Sequence, residues 1–352
     1  MALTVLNVAY PLSPAGPDAV GGAEQVLTLL DAALVEGGHC SIVLACEGSQ
    51  TRGELVSVPR RKGPLDANVV CRAREQHARA IGELLGCRNI DLVHLHGVDF
   101  HTYLPAPGIP VLATLHLPPD WYPREALDPA RPDTWLQCVS ARQHASCGHN
   151  PKLVAPIENG VPVGPFRPSA KRNFALVLSR ICPEKGVHVA IDAAKRAGIG
   201  LLIAGEVYAY ADHERYFRCE LAPRLDRWRR FIGPIGADRK RRLLSAARCL
   251  LVPSLVETSS LAAREALAAG TPVIAQRTDA LMDTIEHGET GFLVHNEIEM
   301  AEAIQRVSEI DPQRCWRAAR ERFSLEPMIA GYFELYKLLA RARPRLPAAA
   351  MQ

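Results

Sequence analysis

Two short apolar runs, joined through a stretch that carries two carboxylates, constrain this chain more than any other part of it. Residues 250–252 and 272–275 are continuous apolar runs bounded by Pro and Gly, without polar alternation. Such runs are typical of strands buried inside a parallel sheet. Between them, the hydroxyl run at residues 258–260 and Gly270 followed by Pro predict the start and end of a helix of about ten residues.

Glu257 and Glu265 lie on either side of the start of this predicted helix. Glu257 falls in the loop at the carboxyl end of the first strand, and Glu265 falls in the second helical turn. Ligands of open parallel sheets bind at such strand ends, and free amides at a helix start suit a phosphate. Either carboxylate alone is more typical of a solvated surface position. Together they favour a ligand rich in phosphate and hydroxyl groups, such as a nucleotide sugar.

The length and the alternation of apolar runs predict two doubly wound α/β domains. A chain of 352 residues exceeds what one core usually organises. A stretch at residues 164–173 is rich in Pro, Gly and basic residues, lacks an apolar period and predicts the linker. Strands are predicted at residues 3–9, 41–45, 92–95, 111–115, 136–139, 174–178, 201–204 and 231–233, and helices near residues 23–37, 67–85, 297–308, 312–323 and 327–340.

Composition excludes several classes of protein. No apolar run approaches the length of a membrane span, and the amino terminus lacks the basic start of a signal peptide, so we expect a cytoplasmic protein rather than a periplasmic binding protein. Ten cysteines without a C-x-x-C pair predict free thiols in a reducing compartment. His94 and His96 share one face of a strand, but no further ligand stands at a usual spacing, so we predict no metal site.

Charge is divided unevenly along the chain. Residues 1–165 carry 12 Lys and Arg against 16 Asp and Glu, whereas the remaining residues carry 29 against 22. A basic second half suits a ligand with two negative charges, although Arg227, Arg229, Arg230 and the run at 239–242 are typical of solvated helix faces. An aromatic content of 6% and the lack of a nucleic-acid-binding motif predict no nucleic-acid partner. The acidic first half makes membrane contact unfavourable.

Charged and small residues also follow other predicted strands. Arg180 and Lys185 are candidates to clamp a pyrophosphate through charge-assisted hydrogen bonds, although both could be surface charges. Gly21 and Gly22 at a helix start let the backbone approach a ligand closely, and an ordinary turn is the alternative. His116 ends its strand where a ligand-contacting residue would lie, and a structural histidine is the alternative.

These motifs together resemble the retaining, GT-B-fold glycosyltransferases of family GT4. Glu257 and Glu265 match the E-x7-E signature of that family, and Arg180 with Lys185 match its Arg-x4-Lys-Gly pattern. The Gly-Gly-Ala-Glu run from residue 21 and the ending Ala-Gly-Thr-Pro-Val-Ile-Ala up to residue 275 match as well, so that the resemblance covers nearly the whole chain. Thr-Ser-Ser at residues 258–260 replaces the usual Gly-Phe-Gly.

The resemblance implies two Rossmann-like domains that face a cleft, with a C-terminal helix that crosses back to the first domain. We therefore expect an acceptor-side domain at residues 1–165, a nucleotide-sugar-binding domain at 166–325, the crossover helix at 326–341 and a disordered tail at 342–352. The family's catalytic positions correspond to His116, Glu257, Arg180 and Lys185. Its donor-binding positions correspond to Gly21, Gly22, Arg180, Lys185, Ile232, Ser259, Ser260, Leu261 and Glu265.

The activity implied by the resemblance is the metal-independent, retaining transfer of a hexose from a UDP-hexose, with UDP-glucose as the first candidate, to a hydroxyl of a small soluble acceptor. In such chains the Arg–Lys pair holds the pyrophosphate, Glu265 the ribose, Glu257 and His116 the hexose, and backbone near Ile232 and Ser260 the base and phosphate. An inverting enzyme needs a base on the opposite face, for which Asp99, in a loop typical of ordinary solvation, is the nearest carboxylate.

Alternatives to this activity remain open at the level of sequence. The Thr-Ser-Ser departure at residues 258–260 fits a sugar-nucleotide-binding partner that does not turn over. A peripheral membrane glycosyltransferase acting on lipid or polysaccharide precursors is a second alternative. Chains of similar appearance include tetrahydrobiopterin glucosyltransferases, so a reduced pterin is one candidate acceptor. The sequence indicates no oligomeric state.

Overall fold

The structure, a computed structural model, describes residues 2–60, 63–167 and 169–341. It contains two parallel six-stranded sheets, each with helices on both faces. This architecture is the GT-B fold that the sequence predicts. The predicted disordered tail at residues 342–352 lies outside the described residues.

The first sheet is built from six short, mostly buried strands. They are β1 (Thr4–Val8), β2 (Cys40–Cys46), β3 (Glu54–Val58), β4 (Leu92–Leu95), β5 (Val111–Leu115) and β6 (Thr134–Cys138). Its helices are α1 (Gly22–Glu36), α2 (Ala67–Cys87) and the short α3 (Arg124–Leu127) and α4 (Ala141–Ser146). In α1, Val26, Leu30 and Leu34 recur at helical spacing and are fully buried, so that this face packs on the sheet.

The second sheet repeats the arrangement of the first. Its strands are β7 (Arg172–Leu178), β8 (Gly200–Ala204), β9 (Arg229–Phe231), β10 (Ala247–Val252), β11 (Val273–Gln276) and β12 (Gly291–Val294). The helices that cover it are α5 (Val187–Arg196), α6 (Ala211–Tyr216), α7 (Ala237–Ala246), α8 (Leu261–Ala268), α9 (Asp279–Thr284), α10 (Glu297–Arg306) and α11 (Pro312–Arg322).

The strand order determines where a ligand can bind. The orders are β3-β2-β1-β4-β5-β6 and β12-β11-β10-β7-β8-β9, so each sheet reverses direction between its first and fourth strands. The helices that follow these two strands lie on opposite faces, which leaves a crevice at the carboxyl ends of the strands. The two crevices belong to β1 and β4 in the first sheet and to β7 and β10 in the second.

The last helix ties the carboxyl terminus back to the first domain. It is α12 (Leu325–Arg341), and its Met328, Tyr332, Tyr336 and Leu339 are buried in one apolar cluster with residues of β1 and α1. Their spacing of three to four positions places them on one helix face. The predicted crossover helix is therefore present. Among the described residues, none of the helices is long and apolar enough to span a bilayer.

Several boundaries differ from the sequence prediction. Strand β3, at the sheet edge, was not predicted because Glu54–Val58 mixes polar and half-buried positions. Strand β9 ends at Phe231, two residues before the predicted strand end at Gly233. Arg229 and Arg230 lie in this strand, so their interpretation as helix-face residues was wrong.

Candidate functional site

The loops after the four switch-point strands face one another across a cavity of about 580 Å³. Tyr10 follows β1, His96 follows β4, Arg180 follows β7 and Glu257 follows β10, and all four residues line this cavity. The site therefore lies where the topology of the two sheets leaves their crevices. Below, we refer to this interdomain cavity as the cleft.

A lysine–glutamate pair lies on the second-domain wall of the cleft. Lys185 Nζ is 2.7 Å from Glu257 Oε1, and the two side chains keep only 15% and 11% of their exposure. Gly186 makes this contact possible because its left-handed backbone, φ 57°, lies against β10, and a Cβ there would come within 2.5 Å of the Pro253 carbonyl oxygen. The glycine of the Arg-x4-Lys-Gly pattern thus brings Lys185 to the strand end that carries Glu257.

A second lysine–glutamate pair joins two helices of the second domain, α7 and α8. Lys240 Nζ, from α7, is 2.6 Å from Glu265 Oε1, from α8, with side-chain exposures of 17% and 19%. The interpretation of the whole run at 239–242 as a solvated face was therefore wrong for Lys240, although its neighbour Arg241 does have a side chain that is 75% exposed. Both carboxylates of the E-x7-E pattern are held by a lysine.

The first turn of α8 is directed into the cleft. Ser260 caps the helix by accepting from the Ala263 amide at 3.4 Å, and Ser259 Oγ is buried and has no hydrogen-bond partner among the residues described. Gly22 of the first domain packs close to the start of α8, since a Cβ there would lie 3.6 Å from Leu261 Cδ1, an ordinary contact distance. Gly22 and Leu261, which both line the cleft, therefore approach each other across the domain boundary.

Gly21 leaves room for the side chain of Glu24. A Cβ at Gly21 would lie 1.9 Å from the carboxylate oxygen Oε2 of Glu24, so a larger residue would displace the end of that side chain. Burial raises the pKa of the Glu24 carboxyl, and the positive charge of Arg180 opposes that shift. Glu24 lines the cleft and was missed as a site residue, although it stands in the Gly-Gly-Ala-Glu run.

His116 faces these groups from the first domain. Its ring Nε2 lies 3.2 Å from His96 Nδ1, and burial lowers the pKa of His116 to about 3, so the imidazole is neutral at pH 7. Thr258 Oγ1 donates to the His116 carbonyl oxygen at 2.8 Å. The Thr-Ser-Ser departure thus supplies a direct link between the loop of Glu257 and the loop of His116.

Other contacts join the domains at the rim of the cleft. The hydroxyl groups of Tyr10 and Tyr210 are 2.8 Å apart. Outside the residues that line the cleft, Arg142 on α4 donates two hydrogen bonds to the Asp283 carboxylate, at 2.8 and 2.7 Å. The loop after β8, which carries Tyr210, therefore bridges to the loop after β1, and α4 of the first domain is bonded to α9 of the second.

The surroundings of two residues differ from those expected from the sequence. Ile232 is outside the cleft lining, and its amide already donates to the Ile203 carbonyl oxygen at 2.9 Å, whereas Ile235 does line the cleft. Asp99 is not in a solvated loop: it is 2% exposed, accepts from Arg74 Nε at 2.8 Å and from the Tyr103 hydroxyl at 2.9 Å. Asp99 is also absent from the residues that line the cleft.

A group of potential metal ligands lies at the edge of the cleft. Cys182, Glu184 and His213 each place one ligand atom within 4.8 Å of the others. Burial raises the pKa of the Cys182 thiol to about 11, so that its proton stays on at pH 7. The positive charges of Arg180 and Lys185 lie near the Cys182 thiol and disfavour a cation there.

Family models match both halves of the chain. Residues 20–163 match the model described as Glycosyltransferase Family 4, and residues 165–322 match the model described as Glycosyl transferases group 1. The chain belongs to the GT4-type glycosyltransferases. The family that the Glu257/Glu265 and Arg180/Lys185 patterns predicted is thereby confirmed.

This glycosyltransferase is similar in sequence to bacterial enzymes. It is 30% identical to the D-inositol 3-phosphate glycosyltransferase of Corynebacterium diphtheriae over 47% of its own length and 44% of the relative. It is 31% identical to the glycogen synthase of Mycobacterium tuberculosis over 54% of its own length and 51% of the relative. The aligned part spans about half the length of these relatives.

Solved structures share the fold of the glycosyltransferase. Sucrose-phosphate synthase from Thermosynechococcus elongatus superposes with a TM-score of 0.75 at 21% identity, over 96% of this chain and all of that one. HepE of Anabaena, in complex with UDP-glucose, superposes with a TM-score of 0.72 at 18% identity over the same shares. At such identities the similarity defines the fold alone.

Proposed function

We propose that this glycosyltransferase moves a hexose from a UDP-hexose, UDP-glucose first, to a hydroxyl of a small soluble acceptor. The observation that carries the proposal is the row of three cationic side chains along the second-domain wall. Arg180, Lys185 and Lys240 line the cleft, and the two lysines each hold one carboxylate of the E-x7-E pattern. Cations suit a diphosphate, and fixed carboxylates suit hydroxyl groups of ribose and hexose.

We assign the donor contacts along this wall. Arg180 and Lys185 bind the pyrophosphate together with the amides at the start of α8, near Ser259 and Leu261. Glu265 binds the ribose, and Glu257 binds the hexose. The base lies near Ile235, because Ile235 lines the cleft and the amide of Ile232 is already used. The known complex of HepE with UDP-glucose supports a UDP-sugar as the first donor to test.

Catalysis then depends on stabilising the departing diphosphate. Arg180, Lys185 and the helix amides supply positive charge where negative charge develops, so no metal ion is needed. The acceptor hydroxyl attacks from the face that the diphosphate leaves, and its proton passes to the departing phosphate oxygen. His116 forms a hydrogen bond with the hexose. Its imidazole is uncharged at pH 7, because burial lowers its pKa to about 3. The configuration at the anomeric carbon is retained.

The ion pair between Asp99 and Arg74 supports retention over inversion. Its carboxylate is already bonded to Arg74 and Tyr103 and does not line the cleft, so it is poorly placed as a base on the opposite face of the sugar.

We also place the enzyme in the cytoplasm, because its ten cysteines are all free thiols, as expected in a reducing compartment.

Donor and acceptor can be identified in two steps. UDP-glucose, UDP-galactose, UDP-N-acetylglucosamine, ADP-glucose and GDP-mannose are first compared by thermal stabilisation of the protein. The best donor is then incubated with a library of small hydroxyl compounds, and products are detected by mass spectrometry together with released nucleotide. Lys185→Ala serves as the control for site-specific turnover. Strong donor binding without any release of nucleotide would favour the non-catalytic alternative.

A further inference from the structure

His96 is a buried side chain with an unused hydrogen-bonding atom. It follows β4 at the switch point of the first sheet, is 2% exposed and lines the cleft. Its Nε2 is buried and has no hydrogen-bond partner among the described residues. Leaving a buried polar atom unpaired is unfavourable, so natural proteins seldom do so without a reason. A nitrogen of this kind in a cleft wall indicates a contact that is completed by a ligand.

The other ring nitrogen of His96 is already engaged. Its Nδ1 is 3.2 Å from His116 Nε2, and the two rings are stacked with centroids 5.4 Å apart and an interplanar angle of 24°. The opposite side of the ring lies against His94, with centroids 3.9 Å apart. His96 is thus held between two histidines, with Nδ1 on His116 and no partner for Nε2 in the part of the chain that the structure describes.

His94, which packs against His96, is fixed in one tautomer by its hydrogen-bond partners. The Gln137 side-chain oxygen accepts from Thr114 Oγ1 at 3.0 Å and from the Tyr332 hydroxyl at 2.8 Å. Because Thr114 uses its proton on Gln137, it accepts from His94 Nε2 at 2.8 Å, and His94 Nδ1 accepts from the Tyr336 hydroxyl at 2.7 Å. The crossover helix α12 therefore holds the ring of His94, against which His96 packs, in a fixed orientation.

The location of the pair relative to the second domain identifies the part of the substrate that it faces. Thr258 Oγ1 donates to the His116 carbonyl oxygen at 2.8 Å, and Thr258 is adjacent in sequence to Glu257. Glu257 in turn contacts Lys185, which we assign to the pyrophosphate. If Lys185 binds the pyrophosphate as proposed, the histidine pair faces the sugar that is attached to it.

We infer that His96 has two roles: its Nε2 contacts a hydroxyl of the transferred hexose, and its Nδ1 positions the ring of His116. The inference rests on the proposed transfer from a UDP-hexose. His96 is then a substrate-contacting residue in addition to His116. The two roles account for the contact of Nδ1 with His116 and for the lack of a partner for Nε2 among the described residues.

Two substitutions separate the two roles. The amide nitrogen of Asn reaches the place of Nδ1 and that of Gln reaches the place of Nε2, so His96→Asn keeps the contact to His116 and His96→Gln keeps the contact to the sugar. We expect His96→Asn to weaken UDP-glucose binding about tenfold, the factor for one lost hydrogen bond, with UDP affinity unchanged. We expect His96→Gln to keep donor KM and to lower kcat, since His116 loses its orientation.

His77→Asn is the matched control. His77 is equally buried in the first domain, but it is absent from the cleft lining. We expect its donor affinity and kcat to stay at the wild-type values. Isothermal titration calorimetry with UDP and with UDP-glucose gives the affinities, and initial rates of UDP release give kcat and KM.

Two outcomes would overturn the inference while wild-type enzyme turns over a UDP-hexose. One is wild-type UDP-glucose affinity in His96→Asn, and the other is an equal loss of UDP and UDP-glucose affinity. If either variant does not fold, 15N-histidine NMR of the wild-type protein decides: the Nε2 signal of His96 should shift with UDP-glucose and not with UDP, and an unchanged signal rejects the contact. Wild-type protein that releases UDP from no UDP-hexose would instead refute the proposed function.

Discussion

Replacing Lys240 by methionine should weaken the binding of UDP about tenfold. Lys240 Nζ lies 2.6 Å from Glu265 Oε1, and both side chains are more than four-fifths buried. A charge-assisted hydrogen bond of this kind contributes about 1.5–3 kcal/mol when buried and less when partly solvated, so about 1.4 kcal/mol, or tenfold in Kd, is a reasonable expectation. Methionine keeps the length of the side chain and removes its charge.

The reason for the loss is that Glu265 must be held in place before it can accept hydrogen bonds from the ribose. Without Lys240 the carboxylate turns toward water, and ribose binding has to reorder it. Because UDP and UDP-glucose share the ribose, the loss should be the same for both ligands, whereas a substitution at the hexose end should affect UDP-glucose alone. Isothermal titration calorimetry with both ligands measures the difference.

Arg241→Met is the matched control, because Arg241 is the next residue on α7 and undergoes the same change of charge. Its side chain is 75% exposed, and within the described ranges its only ion pair is with Asp238, an exposed residue of its own helix. We expect this variant to bind UDP like the wild type. An unchanged UDP affinity in Lys240→Met, or an equal loss in Arg241→Met, would refute the assignment of the Lys240–Glu265 pair to the ribose.

Further predictions concern the diphosphate and the buried histidines. Arg180→Ala or Lys185→Ala should each raise donor KM and lower kcat, because both residues act on the diphosphate in the ground state and in the transition state; unchanged UDP affinity in both variants would reject the clamp. Burial lowers the pKa of His94, His96 and His116, the last to about 3, so the unfolded chain gains protons below about pH 6.5 before the folded one does. The free energy of unfolding should therefore be highest above pH 6.5 and fall below it by about 1.4 kcal/mol per pH unit for each histidine, and a value that stays constant from pH 7.5 to 5.5 in urea titrations would contradict this expectation.

The fold could be predicted from sequence because its signals are local. The apolar runs of β10 and β11 and the glycine and proline after α8 specify a buried parallel unit within one short segment. Glu257 and Glu265 were identified for the same reason, since their spacing and the helix start between them are visible in the sequence. Strand β3 was missed because an edge strand need not be continuously apolar.

The partners of the site residues could not be predicted, because they depend on contacts between distant segments. Lys240 stands in a basic run that resembles any solvated helix face, and only the packing of α7 beside α8 brings it to Glu265. Asp99 was interpreted as solvated because nothing near it in sequence reveals its bond to Arg74. Ile232 was placed at the base, but the pairing of the residue after β9 with Ile203 occupies its amide.

The anomeric configuration of the product distinguishes retaining from inverting transfer. Once an acceptor is found, the enzyme is incubated with UDP-glucose, with and without EDTA, and the product is examined by proton NMR. We expect an α-linked product from the α-linked donor and equal rates in both samples, because Arg180, Lys185 and the amides of α8 replace a metal and Asp99 is not available as an opposite-face base. A β-linked product, or loss of activity on chelation, would contradict it.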